Sequence, residues 1–298
     1  MLKERGIHIM DGYNDLKKAE KAAFLSIFAY LFLSVLKIAA GHFGNSDALL
    51  ADGLNNTTDI VASVALLIGL RISRIPPDAD HSYGHRRTET ISSLIASIIM
   101  FLVGVQVIWS SIVHIIEKEF TAPSMLTAIV ALFSGVFMYA IYLYNHRLAK
   151  KLDSQAVRAA AYDNRSDAFV SFGAFIGIIG AVLGVPWLDS VTAFLVGVLI
   201  VYTAVKIFYD AAHTLTDGFD VSKLETIHDL IASVPDVKKV IDIKARMNGN
   251  RIWIDATIAV DPDLNVVKSH EITEIVEQKI RNEYEGAFTL VHIEPFFE

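Results

Sequence analysis

The chain has 298 residues, 53% of them apolar, with a mean hydropathy of +0.44 and a formal net charge of −7. That is too apolar for an ordinary soluble protein of this length and points to a chain that crosses a membrane repeatedly. The acidic balance argues against nucleic acid as a partner, and with no cysteine the chain has neither disulfides nor thiolate metal sites.

Six apolar stretches follow one another near residues 22–40, 48–70, 91–116, 125–144, 168–183 (entered from about residue 159) and 187–209. Each is long enough to cross a hydrocarbon core about 30 Å thick. The first contains Lys37 and lacks a small-residue cleavage site, which predicts a retained span rather than a cleaved signal peptide. Basic residues gather at the N-terminus (Lys3, Arg5, Lys17, Lys18, Lys21), in the second-to-third loop (Arg71, Arg74, Arg86, Arg87) and in the fourth-to-fifth loop (Arg147, Lys150, Lys151, Arg158). The intervening loops offer only Lys118. This asymmetry predicts a multi-pass protein of the cell membrane with both termini in the cytoplasm.

From about Thr216 the pattern changes. Residues 1–214 carry 17 Lys and Arg against 17 Asp and Glu, whereas residues 215–298 carry 9 against 16, so the whole net charge sits on the tail. We therefore expect a transmembrane domain over residues 1–214 and a soluble domain over residues 215–298. In the tail the pattern predicts a helix over 221–234 behind an Asp-Val-Ser cap and a turn at Pro235-Asp236. A strand over 237–246, the hairpin signal Asn248-Gly249-Asn250 and a strand over 251–260 follow. A helix spaced by Ile272, Ile275, Val276 and Ile280 and a strand over 288–293 complete an αββαβ order, a small α+β sandwich. At about 80 residues its core is modest, which favours dimerisation through it.

Charged groups inside spans are costly, about 2.5–3.5 kcal/mol for an Asp at a helix centre. Two pentads stand out: Asn55-Asn56-Thr57-Thr58-Asp59 in the second span and Asp163-Asn164-Arg165-Ser166-Asp167 in the fifth. Residues four apart share a helix face, so Asn55 with Asp59 and Asp163 with Asp167 present two pairs of oxygens. If the faces meet, four ligands converge; the competing reading is polar glue between helices or carboxylates at the interface. Asp52, one turn from Asn55, is placed to line the same cavity, and Arg165 reads as a counter-charge or a snorkelling residue. Lys37, His42, His114 and Asp189 lie near span ends, where solvation is the expectation, and Gln106 reads as packing. In the loop after the second span, Asp78, His81 and His85 stand three and four residues apart, a spacing that one turn can close around a metal.

Taken together, these segments resemble the cation diffusion facilitators. The resemblance rests on Asn45-Ser46-Asp47-Ala48-Leu49-Leu50-Ala51-Asp52, the two pentads, the loop His81-Ser82-Tyr83-Gly84-His85 and the soluble tail, and it covers nearly the whole chain in order. It implies a homodimeric, proton-coupled exporter of divalent metal ions with six spans and a ferredoxin-like cytoplasmic domain. Carried over position by position, the transport site is Asn55, Asp59, Asp163 and Asp167. Zinc exporters of the family place at least one His among the four, and this chain places none. Carboxylate and amide oxygens suit Mn²⁺, whereas imidazole suits zinc, copper or nickel, so the set looks like the manganese branch. The same oxygens also accept Fe²⁺, Co²⁺ and Zn²⁺.

The resemblance further implies a second metal site at Asp78, His81 and His85, and a salt bridge between Arg87 and Asp217 that couples the tail to the pore. It also implies a cytoplasmic metal site at Asp255, His270 and His292 with Glu294 beside it. Two positions filled by His in zinc-exporting relatives are Ile241 and Thr257 here, so that site is a reduced one. No cofactor is expected; the partners are the transported cation, protons, the lipid bilayer and a second copy of the chain. Two other classes compete. An intramembrane metalloenzyme would need a water-activating motif such as His-Glu-x-x-His, which the chain lacks. A membrane-anchored metal sensor would not need carboxylates deep in two spans.

Overall fold

The computed structural model describes residues 26–118, 120, 122–152, 155–249 and 251–297. The N-terminal Lys3, Arg5, Lys17, Lys18 and Lys21, the first four residues of the first expected span, and Asn250 lie outside the described residues. Among those described, six helices are long and apolar enough to cross a membrane. They are α1 (Ser26–Phe43), α2 (Asp47–Ser73), α3 (Thr88–Glu117), α4 (Met125–Leu152), α5 (Gln155–Val182) and α6 (Trp187–Leu215). Most outrun the apolar stretches that mark them. Backbone hydrogen bonding continues through polar turns, so hydropathy marks only part of each helix.

The chain divides into two compact units, one built from the chain up to Val64 with Ala96–Val205, the other from Ala65–Ile95 with Lys206–Glu298. In the first, three apolar clusters join the helices. Ala29, Leu33, Met138, Ile141 and Ala168 pack α1 with α4 and α5. Ala48, Leu49, Ala128, Ala131, Ala174 and Ile178 pack α2 with α4 and α5. Ala51, Val107, Ala193, Val196 and Ile200 pack α2 with α3 and α6. Small residues let backbones approach: a Cβ on Gly53 would meet Ile38 Cγ1 at 2.8 Å, which brings α2 close against α1.

Two expectations about span ends are overturned. Lys37 is 0% exposed and Asp189 only 3%, so neither is solvated. Asp189 instead closes the start of α2, its carboxylate accepting from Ser46 Oγ at 2.7 Å and from the Asp47 and Ala48 backbone N–H groups at 2.6 and 3.3 Å. An acceptor there satisfies orphan donors of the first helical turn. His114 is half-buried with Nδ1 2.6 Å from Asp47 Oδ2, while His42 is exposed. Gln106 is exposed on α3 rather than packed. Distance from a span end does not reveal which side of the helix a residue occupies.

The second unit contains the tail elements α7 (Val221–Ala232), β1 (Lys239–Asn248), β2 (Arg251–Val260), α8 (Val266–Glu283) and β3 (Phe288–Pro295). The strands lie in the order β1-β2-β3, β1 antiparallel to β2 and β2 parallel to β3. The αββαβ order is as expected; α7 stops two residues short of the expected helix, and β1 starts and ends two residues late. Asp220 caps α7, its carboxylate accepting from Ser222 and Lys223, and the Ser222 hydrogen bonds hold its pKa below the usual carboxylate range. Along β2, Ile254, Ala256, Ile258 and Val260 point into a core shared with Ile227 and Ile231 of α7 and Ile272, Val276 and Ile280 of α8. The alternate residue Asp255 therefore points away from the helices and is exposed.

Candidate metal centre

The two pentads do meet. Asn55 Nδ2 on α2 donates to Asp167 Oδ1 on α5 at 3.2 Å, with both residues buried at 9% and 7% exposure. Asp59, one turn along α2, is partly buried, and its Oδ2 atom is sealed from solvent with no hydrogen-bond partner. A buried carboxylate oxygen without a donor is costly, and a cation is the natural group to compensate it. Asp163 is exposed. The three carboxylates do not close into a cluster with all ligating atoms within 4.8 Å of one another. Exposure instead rises from Asp167 and Asn55 through Asp59 to Asp163, toward the ends of α2 and α5 that lead into the basic loops.

The pentads' neighbours are more specific than their sequence suggested. Asp52 is fully buried and pairs with Lys37 Nζ at 2.9 Å, so it faces α1 and is already matched with a cation. Arg165 turns its guanidinium over the rings of Tyr162 and Tyr142, at 4.8 and 5.9 Å from their centroids. Stacking on aromatic faces is what holds that charge.

Within the second unit, Asp78, His81 and His85 form the one group of three His, Asp or Glu residues among the described residues whose ligating atoms all lie within 4.8 Å of one another. Asp78 Oδ1 is 3.2 Å from His81 Nδ1, and Asp78 Oδ2 is 3.6 Å from His85 Nε2. The loop builds this locally: the His81 and Asp80 N–H groups donate to Asp78 Oδ1 at 2.7 and 3.1 Å. The His81 N–H bond is the main reason that the Asp78 pKa lies below its usual value. Two imidazoles and a carboxylate can hold a transition metal, and His85 Nδ1 remains without a hydrogen-bond partner.

Arg87 and Asp217 form the expected ion pair, and Arg246 approaches the other Asp217 oxygen at 3.7 Å. Above them Trp253 takes Tyr83 edge-on at 5.1 Å and the Arg246 guanidinium at 5.8 Å, walling a cavity of about 450 Å³ that the loop histidines also line. The tail residues do not assemble in the same way. His292 Nε2 lies 3.2 Å from Glu294 Oε1, whereas His270 Nε2 lies 3.5 Å from Glu274 Oε1. Asp255 stands opposite Leu290 in the β2–β3 register, with Thr257 opposite His292.

Sequence reasoning missed the residues that hold the pentads from behind. Tyr30 OH donates to Asn164 Oδ1 at 3.0 Å, and Lys37 Nζ donates to Asn56 Oδ1 at 2.6 Å and to Ser171 Oγ at 2.9 Å. The available signal was the Asn at the second position of both pentads.

Six membrane-length helices, an oxygen-lined meeting of α2 with α5 and an α+β tail define a polytopic ion-transport protein. Residues 23–216 match the family model described as the cation efflux transmembrane domain, and residues 220–296 match the cation efflux protein cytoplasmic domain. The chain belongs to this family of cation efflux proteins, the cation diffusion facilitators. It is 49% identical to the manganese efflux system protein MneS of Bacillus subtilis, over 96% of this chain and 99% of that one. It is 50% identical to the uncharacterized transporter YdbO of the same organism, with the same coverage. With the manganese efflux system protein MneP, also of Bacillus subtilis, it shares 31% identity over 94% of this chain and 97% of the other.

Proposed function

We propose that this efflux protein exports Mn²⁺ from the cytoplasm in exchange for protons, with Asn55, Asp59, Asp163 and Asp167 as the transport site. The observation that carries this reading is the meeting of α2 and α5 at Asn55 and Asp167 beside the buried, unpartnered oxygen of Asp59. An oxygen-only donor set suits a hard dication such as Mn²⁺, and two similar proteins carry manganese efflux in their names.

Moving a dication outward against an inside-negative potential costs about 4.6 kcal/mol per 100 mV, and one inward proton offsets half of that. Carboxylates must be deprotonated to ligate, so proton and metal compete for the same oxygens of Asp59, Asp163 and Asp167. In this reading the ion loads from the cytoplasm past exposed Asp163, and protonation from the far side releases it as the helices rock between two access states. Asn55 carries no proton and tunes selectivity. The protein resides in the cell membrane with both termini inside, with a transport domain over residues 1–214 and a cytoplasmic domain over 215–298 through which two copies pair. Asp78, His81 and His85 bind a second, regulatory ion, and Arg87 with Asp217 ties that loop to the start of the tail. Asp255, His270, His292 and Glu294 are carried as candidate tail ligands by family resemblance.

The test is ion flux in proteoliposomes under an imposed pH gradient. Asp163→Ala is expected to abolish Mn²⁺ flux; unchanged flux overturns the site, and flux insensitive to the gradient overturns the exchange.

A further inference from the structure

The α1 helix carries a polar stripe that the transport reading leaves without a role. Ser26, Tyr30, Ser34 and Lys37 recur at intervals of four, four and three, one face of a helix. Every one of them bonds to another helix. Ser26 Oγ accepts from Asn164 Nδ2 at 3.2 Å and from Asn145 Nδ2 on α4 at 3.0 Å. Tyr30 takes the other end of the same Asn164 amide, its hydroxyl donating to Oδ1 at 3.0 Å. Ser34 Oγ meets the Gly53 carbonyl at 3.3 Å and Thr57 Oγ1 at 2.7 Å. Lys37 joins Asn56, Asp52 and Ser171, and all four are 0% exposed.

The two amides held this way, Asn56 and Asn164, are the residues immediately after Asn55 and Asp163. Successive side chains on a helix point about 100° apart. Anchoring the following residue to α1 therefore sets the rotation of each ligand-bearing helix and turns its ligands toward the opposite one. The Lys37–Asp52 pair adds stiffness. Neither Asp52 oxygen accepts a hydrogen bond despite the 2.9 Å ion-pair distance, so charge alone holds it, and removing either partner strands the other in the bundle.

We infer that α1 is the positioning element of the ion site, with Tyr30 acting through Asn164 on the α5 ligands and Lys37 acting through Asn56 on the α2 ligands. The inference rests on the quartet being the transport site. It reaches beyond that reading by assigning ion affinity to residues that contribute no ligand. Packing alone would predict losses of stability or of maximal rate; positioning predicts a change in KM.

Mn²⁺ flux by the full-length protein in proteoliposomes is measured against ion concentration for the native chain, Tyr30→Phe and the paired variant Lys37→Met with Asp52→Leu, and thermal unfolding is recorded for each. Tyr30→Phe keeps the ring and loses only the hydroxyl. It is expected to raise KM about five- to tenfold, the scale of one buried hydrogen bond, with maximal rate close to native and only a modest fall in unfolding temperature from the Asn164 oxygen left without its donor. The paired variant is expected to raise KM in the same direction; should it not fold, Tyr30→Phe decides alone. A KM within twofold of native in Tyr30→Phe overturns the inference, whatever happens to the maximal rate. Asp163→Ala runs alongside. If it retains full flux, the transport-site reading itself fails; if it abolishes flux while Tyr30→Phe leaves KM unchanged, only the positioning role fails.

Discussion

The membrane quartet and the loop trio are both sets of metal-type ligands, yet they are built in opposite ways. Asp78, His81 and His85 sit in a largely exposed loop, with side-chain exposures of 50%, 56% and 15%, and their ligating atoms already lie together. Water and local backbone N–H groups stabilise Asp78, so closing the trio costs little. The quartet is split between α2 and α5, its carboxylates repel one another wherever burial lowers the dielectric, and the Asn55–Asp167 hydrogen bond links the two helices. Tight pre-assembly thus marks the set that is cheap to assemble, while the set proposed to carry the ion is the open one with an orphaned oxygen.

Four measurements would break or sharpen that contrast. The largest effect is expected for Asp167→Ala, which should lower Mn²⁺ flux in proteoliposomes by about a hundredfold or more, since even outer-shell losses cost about 10–100-fold. The double variant His81→Ala with His85→Ala should remove one bound ion in equilibrium dialysis and reduce flux far less than Asp167→Ala does; equal losses would erase the distinction. Next comes Lys37→Met alone, which leaves Asp52 buried and uncompensated and should destabilise the protein by about 3–5 kcal/mol in unfolding experiments. Replacing Asp52 by Leu in the same chain should recover most of that. Asn55→His follows: an imidazole among the oxygens should raise Zn²⁺ flux relative to Mn²⁺, and an unchanged ratio removes Asn55 from selectivity.

The smallest expected effect lies in the exposed tail. Asp220 has a folded-state pKa below its unfolded value, so its contribution to stability is present above the unfolded pKa and is lost as pH falls through the folded one. Asp220→Ala should therefore lower the tail's unfolding temperature near neutral pH, with the gap from native shrinking in acid. A gap independent of pH would mean that the cap does not act through its carboxylate.

Much of this was legible beforehand for a local reason. Hydropathy located the six membrane helices, and period-two alternation located β2 to the residue. The pairs Asn55 with Asp59 and Asp163 with Asp167, and the Asp78, His81 and His85 spacing, follow from geometry within one element. Where the reading went astray, the missing information was angular. Distance from a span end predicts solvation for Lys37 and Asp189, yet both are buried. Arg165 had two readings in sequence, and the rings of Tyr142 and Tyr162, from two different helices, decided where its charge rests.

The sequence by itself determined which helices carry the two pentads, that Asn55, Asp59, Asp163 and Asp167 all offer oxygen donors, and that an αββαβ domain follows the last span. Those properties depend on residue type and on the 3.6- and 2-residue periods, which act over a few residues. Only the tertiary structure decided that Asp52 belongs to Lys37, that Asp189 closes α2, and that Tyr30 and Lys37 grip the residues behind Asn55 and Asp163. Those partners lie between 15 and 142 positions apart in the chain. Which of them meet depends on how each helix is rotated and tilted against its neighbours, and packing between helices sets that, not spacing along any one of them.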